Sequence, residues 1–250
     1  MTKTRLFLPF ALLVCVCLMA CEQEHSPSGT TVTRFGSLIK LKKEYQERYI
    51  ILHRHTFPGV LDRIRKCNIR NYTIFLKEGM LFSYFEYTGN DFDTDMAQMA
   101  DSVTKDWWKL TDPMQEPLES RKEGEWWASC KLLYQMDTCM LNYKDAQRIA
   151  LIGEIKDKQE TLFKRALETM PKSMIESFLK YSFQNLTLYT LDNRIYIYFE
   201  YVGKNYNEDM AQLLKVQEVK SLTEYLIALM KPLSGCDQFW VEMDEIFHTD

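Results

Sequence analysis

The chain has 250 residues, 46% of them hydrophobic and 13% aromatic, so it is globular, and each half is long enough for its own core. Its formal charge is −4 at pH 7 with no basic stripe, which excludes nucleic acid as a partner. Its seven cysteines and four histidines form no CxxC and no histidine-rich spacing, so no metal is expected.

The elements follow in chain order. Thr2-Lys3-Thr4-Arg5 is a short basic region, and Leu6 to Ala20 is an apolar run too short to cross a bilayer comfortably. It ends in Leu18-Met19-Ala20-Cys21, which resembles the bacterial lipobox. The expectation is a lipoprotein signal peptide at residues 1–20, lipid on the Cys21 thiol and a lipid anchor in the bacterial cell envelope, facing the periplasm or the exterior. A plain cleaved signal or a short anchor is the alternative. Residues 21–33, polar with Pro27 and Gly29, read as a tether. Beyond them lie Cys67, Cys130, Cys139 and Cys236, in a compartment that would permit disulfides whose pairing spacing cannot give.

Arg34 to Lys42 reads as a strand, and Lys43 to Lys66 as one long amphipathic helix. Arg70 to Lys77 and Met80 to Thr88 form a hairpin around Glu78-Gly79. Asp93 to about Leu110 is a second helix, open to a break. Pro113 and Pro117 open a loop, and Lys131 to Asp137 is a closing strand. This is the β-α-β-β-α-β order of ferredoxin-like domains. Cys139 to Ala146 links it to the same order again: strand Arg148–Lys156, helix Asp157–Tyr181, strands Asn185–Leu191 and Arg194–Val202, helix Asn207–Met230 and strand Asp244–Thr249.

The halves also share residues. Phe85-Glu86-Tyr87-Thr88-Gly89 returns as Phe199-Glu200-Tyr201-Val202-Gly203, and Asp95-Met96-Ala97-Gln98 as Asp209-Met210-Ala211-Gln212, both 114 positions later. A constant offset signals duplication. The expected fold is α+β: two tandem ferredoxin-like domains, 34–138 and 147–250, of the dimeric α/β barrel type. A four-stranded sheet with helices on one face leaves the other bare, so the two are expected to pack sheet to sheet as an intramolecular pseudo-dimer.

Duplication also supplies an internal control. Tyr49, His53 and Phe57 stand four apart on the first helix and share a face. Tyr72 lies on the second strand, where it can face that helix. Trp107-Trp108 lie on the second helix, where adjacent residues point apart, so one is expected in the core and the other on a cleft. Histidine is the natural acid/base at neutral pH, and aromatic rings stack on the apolar faces of sugars. Alone, such a histidine is more often structural and such a tryptophan pair more often core. Yet the second half replaces the whole set, with Leu162, Ala166, Met170, Leu186, Ser221 and Leu222, while keeping the framework.

Tyr49-x-x-x-His53-x-x-x-Phe57-Pro58, Asn71-Tyr72-x-Ile74-Phe75-Leu76 and Trp107-Trp108 resemble, in identity and in spacing, the L-rhamnose mutarotase family. The closing Glu245-Ile246-Phe247-His248-Thr249-Asp250 resembles that family's C-terminal strand. The resemblance implies dimer-forming ferredoxin-like domains that interconvert the α and β anomers of L-rhamnose without a cofactor. It implies His53 as proton donor, and Tyr49, Tyr72, Trp107 and Trp108 as residues that bind the monosaccharide. Phe57 departs from it, since the family usually has Trp there. The second half lacks the set and should be silent, completing the pseudo-dimer.

Two other readings use the same residues differently: a sugar-binding lipoprotein that does not turn its ligand over, and a structural partner in sugar utilisation. Asp91-x-Asp93-x-Asp95 begins like a calcium loop, but Met96 and Ser102 stand where Gly and Glu belong, and helix capping explains it. The sequons at Asn71 and Asn185 fall in strands of a chain expected to be bacterial, and modification is not expected. Trp126-Trp127 and Trp240 read as core, and His55 as solvated.

Overall fold

The computed structural model describes residues 32–136 and 146–250. The apolar run, Cys21, Cys139 and most of the tether and linker lie outside the described residues. The first half contains β1 (Thr33–Leu41), α1 (Gln46–Arg54), α2 (Pro58–Lys66), β2 (Ile69–Lys77), β3 (Met80–Tyr87), α3 (Phe92–Met99), α4 (Ser102–Thr111), β4 (Gln115–Glu116), β5 (Ala128–Ser129) and β6 (Lys131–Gln135). The second contains β7 (Gln147–Ile155), α5 (Glu160–Glu168), α6 (Lys172–Lys180), β8 (Phe183–Leu191), β9 (Arg194–Tyr201), α7 (Tyr206–Leu213), α8 (Gln217–Ala228), β10 (Met230–Lys231) and β11 (Trp240–Thr249).

Each long helix expected from periodicity is two short ones. The first breaks at Phe57, whose extended backbone (ψ 129°) precedes Pro58 at the start of α2. A proline lacks the N–H that would continue the helix and disfavours helical geometry in the residue before it. Pro171 does the same before α6. Between α3 and α4, Asp101 restarts the helix by accepting the Thr104 N–H at 2.8 Å. The same carboxylate accepts from Arg63 Nε at 2.8 Å, tying α2 to α4, and these bonds, the Thr104 backbone first, hold its pKa down at about 2.

The strands differ from the expected pattern in one respect. They form one 11-stranded sheet with the central order β4-β1-β3-β2-β11-β7-β9-β8-β6. Each half's closing strand leaves its own sheet and joins the other's. β11 pairs with β7 through Trp240–Met243, then with β2 of the first half through Asp244–Thr249. The other crossing is the mirror of this one: β5 pairs with β1, and β6 with β8 of the second half. The two crossings close the sheet into a barrel. Alternation allows this, because a strand's period fixes which side chains point inward but not which neighbour it pairs with.

The barrel interior is the sheet-to-sheet core. Phe75, Phe82 and Tyr84 of the first half meet Tyr189, Tyr196 and Tyr198 of the second. Tyr84 and Tyr198 stack with centroids 3.7 Å apart. At one end sits a buried polar cluster built from residues that both halves share. Asn71 and Asn185 have positive φ (49° and 53°), at register shifts in β2 and β8. Asparagine tolerates this conformation, and the bulge turns each amide inward. Asn71 Nδ2 donates to Glu86 and Glu200 at 3.2 and 2.7 Å, and Asn185 Nδ2 to the same pair at 2.8 and 3.0 Å. Arg34 Nε donates to Asn185 at 2.9 Å and Arg148 Nε to Asn71 at 3.4 Å, bringing two cations to two carboxylates.

The bulge at Asn71 also sends Tyr72 and Ile74 to the outer face of the sheet, toward the helices. A separate apolar cluster forms there with Tyr49, Val60, Ile64, Trp107 and Phe247. Cys67, Cys130 and Cys236 carry free thiols.

Candidate active site

Between the outer face of β2 and the helices α1, α2 and α4 lies a cavity of about 240 Å³, roughly the space of eight waters. His53 reaches it from the last turn of α1, 8% exposed. Its ring lies edge-on to Trp107 (5.2 Å) and to Phe247 (5.6 Å). Tyr72 closes another wall, edge-on to Phe85 (5.8 Å) and Phe247 (5.5 Å). Trp107 and Trp108 both line the cavity, Trp107 buried and Trp108 half-buried. Trp107 belongs to the buried cluster, as expected of one of the pair, but the cavity straddles α4 and both rings border it.

Tyr49 packs behind His53 and not on the cavity wall. It is 1% exposed, with its ring 4.0 Å from the imidazole centroid. Its hydroxyl accepts from Gln115 Nε2 at 2.9 Å, and Gln115 Oε1 accepts from Trp126 Nε1 at 2.7 Å. Phe57 is 36% exposed and touches the site only through Trp107, edge-on at 5.3 Å. His55 is exposed, as expected.

One hydrogen bond fixes the chemistry of His53. Its Nδ1 lies 2.9 Å from the Tyr49 carbonyl oxygen. A carbonyl only accepts, so Nδ1 carries the proton and Nε2 keeps its lone pair. Burial lowers the imidazole pKa to about 4, against a smaller opposing push from that carbonyl. The resting ring is neutral at pH 7 and offers a base. Burial also pushes the Tyr49 and Tyr72 hydroxyls well above their usual pKa, so both stay protonated. The arrangement is a small aromatic chamber with one basic nitrogen and one phenolic donor.

Sequence reasoning missed two walls. Trp127 is half-buried, packs on the outer apolar cluster as the core reading expects and also lines the cavity, while Trp126 is 45% exposed and departs from that reading. Trp240, in the second half, does pack inward, against Phe163 at 6.5 Å. Phe247 belongs to the second half and arrives with the exchanged strand β11, while its neighbour His248 turns inward, Nδ1 3.0 Å from Thr73 Oγ1. The signal was present in the closing motif, but assigning that strand to its own half hid it. In the second half, Ala166, in the place of His53, and Leu222, in the place of Trp108, border an open hollow. Asp91 caps α3 by accepting the Thr94 N–H at 3.1 Å, as the capping reading expects.

Phe247→Ala is expected to enlarge the cavity and release the His53 and Tyr72 rings. Truncating a buried aromatic costs about 3–5 kcal/mol. Thermal melts of the variant should show that loss, and its ligand affinity should fall although the change lies in the second half of the chain.

Residues 34–136 match the family model described as L-rhamnose mutarotase. The L-rhamnose mutarotase of Lactiplantibacillus plantarum is 28% identical over 90 residues, covering 35% of this chain and 85% of that protein. Among solved structures, a putative monooxygenase of Fusobacterium nucleatum superposes with a TM-score of 0.52 at 11% identity, covering 88% of this chain and 94% of that one. A putative monooxygenase of Lactobacillus acidophilus does so with a TM-score of 0.52 at 11% identity, covering 87% and 98%. At that identity the likeness carries the fold alone.

Proposed function

We propose that the chain is a mutarotase for L-rhamnose or a related deoxy sugar with its single working site at His53, a reading supported by the match of residues 34–136 to the L-rhamnose mutarotase family model. That match supports the general role, an isomerase-type enzyme. The observation that carries the finer reading is the neutral His53, with Nε2 free to accept a proton, in an aromatic chamber of single-sugar size.

Mutarotation moves one proton. His53 Nε2 takes it from the anomeric hydroxyl as the C1–O5 bond breaks and C1 becomes an aldehyde. The imidazolium returns it to O5. Rotation about C1–C2 presents the other face, and the reverse steps close the ring. One nitrogen serves both oxygens because both are bonded to C1. Burial disfavours a long-lived imidazolium, so the transfers are closely coupled to bond breaking. Tyr72 supplies a hydroxyl donor to the sugar, Trp107 and Trp108 supply apolar faces, and Tyr49 holds His53 in its tautomer.

The test is anomer exchange of L-rhamnose by saturation-transfer NMR, using a soluble form beginning at Glu22. Exchange no faster than in buffer, for rhamnose and for related deoxy sugars, overturns the reading. Binding without exchange would favour the sugar-binding alternative.

The lipobox adds a proposed location, with lipid on Cys21 holding the enzyme in the cell envelope. In a bacterial host, wild-type protein is expected in the membrane fraction and Cys21→Ser in the soluble fraction. Equal partition of the two removes the anchor.

A further inference from the structure

A second recess adjoins the sugar chamber. Trp108 lines both the inner cavity and an outer groove of about 730 Å³. On the far side of that groove stands Trp126, 45% exposed, the residue expected in the core. Its Nε1–H is held by Gln115 Oε1 at 2.7 Å, so the indole is anchored at one edge while much of it meets solvent. An anchored, exposed indole is a stacking platform for the apolar face of a sugar ring. The second half has no counterpart: Phe239 stands at the matching position and packs into the core of that half.

The groove is also basic within an acidic chain. Lys42, Lys105 and Lys109 line it against one carboxylate, Asp112. Lys42 is held in place by donating to the Pro113 carbonyl at 2.7 Å. Lys109 pairs with Asp106 at 2.7 Å on the exposed face of α4. Lys42 also lines a neighbouring cleft of mixed charge, where Lys40, Lys43, Lys77 and Arg194 stand among Glu44, Glu78 and Glu116.

Groove and chamber are connected through Tyr49, by its hydroxyl on one side and its backbone carbonyl on the other. Trp126 Nε1 donates to Gln115, Gln115 Nε2 donates to the Tyr49 hydroxyl at 2.9 Å, and the Tyr49 carbonyl holds His53 Nδ1. An occupant stacked on Trp126 therefore sits one hydrogen-bonded relay away from the residue whose backbone holds the base.

We propose that the substrate is the reducing-end deoxy sugar of an acidic oligosaccharide, with the reducing ring in the chamber and the next ring, bearing a carboxylate or sulfate ester, on Trp126 among the three lysines. This rests on the mutarotase reading, since only a free anomeric carbon is worked on. The link to the next sugar leaves from a hydroxyl other than O1, so the proton transfer is unchanged.

The experiment compares anomer exchange of four probes with the soluble protein: L-rhamnose, and disaccharides with reducing-end rhamnose bearing a neutral hexose, a hexuronic acid or a sulfated hexose. The expected result is kcat/KM about tenfold higher for an acidic disaccharide than for the neutral one at low salt. That gap should close near 1 M salt, where the Debye length is about 3 Å. The combined change Lys105→Ala with Lys109→Ala should lower the ratio of acidic to neutral disaccharide, and Trp126→Ala the ratio of neutral disaccharide to rhamnose. Whichever acidic probe gains more identifies the anion. Accelerated rhamnose exchange with no gain for any disaccharide, or ratios unmoved by the substitutions, overturns the oligosaccharide and leaves the mutarotase standing. No acceleration with any probe overturns both.

Discussion

His53→Ala should abolish the accelerated exchange of L-rhamnose anomers, a loss of about 10² to 10⁴, the usual contribution of a positioned general acid/base. The pH dependence is the sharper test. The reactive form is the neutral ring, and burial holds its pKa at about 4. Wild-type acceleration should be flat from neutral pH down to about pH 5 and fall as pH drops through the folded-state pKa. A solvated histidine would lose activity near pH 6.5. An inflection there would mean that the working imidazole is solvated, and a rise in acid that the imidazolium is the working form and the tautomer fixed by Tyr49 is not. The same shift bears on stability. The folded pKa is depressed below that of the unfolded chain, so protons favour unfolding. Stability from this site is fully present above pH 6.5 and is lost as pH falls from there to about 4. The activity plateau and the stability slope therefore occupy the same pH window with different shapes. Melts of wild type and His53→Ala across it should separate the two effects.

The repeat made the barrel legible. Residues common to both halves fixed the hairpins, and in the structure Glu86, Glu200, Tyr84 and Tyr198 face each other across the core. The site was legible as a set, because His53, Tyr72, Trp107 and Trp108 do converge on one cavity. Two things were not legible. Helical periodicity runs through a proline break whenever the turn keeps the apolar face aligned, so Lys43–Lys66 read as one helix although Pro58 divides it. Strand exchange leaves no trace in alternation, so Phe247 was assigned to its own half and the wall it supplies went unseen. The tautomer of His53 depends on where a backbone carbonyl points, which sequence spacing alone does not give.

Glu200→Ala should cost about 3–5 kcal/mol, the usual penalty for breaking a buried charged network from one side. Glu200 is fully buried. Its Oε1 accepts from Asn71 at 2.7 Å, Asn185 at 3.0 Å and the Tyr198 hydroxyl at 2.8 Å. Alanine leaves these donors short of an acceptor. For a chain of this size the melting temperature should fall by about 6–20 °C. Glu86→Ala should cost a similar amount, because Glu86 meets the same two amides and the Tyr84 hydroxyl at 2.8 Å. Asn71→Ala should couple to Glu200→Ala by about 0.5–3 kcal/mol in a double-mutant cycle. Asn71 also has a functional side. Its left-handed backbone sets the bulge that sends Tyr72 outward to the aromatic chamber while its own amide points inward. A residue that resists positive φ flattens that bulge, and a one-residue slip turns side chains to the opposite face. Asn71→Val should therefore lose sugar binding beyond what its stability predicts, whereas Asn185→Val, in the half without the site, should lose stability alone. Equal loss of binding in both would show that the cluster acts only by holding the barrel shut.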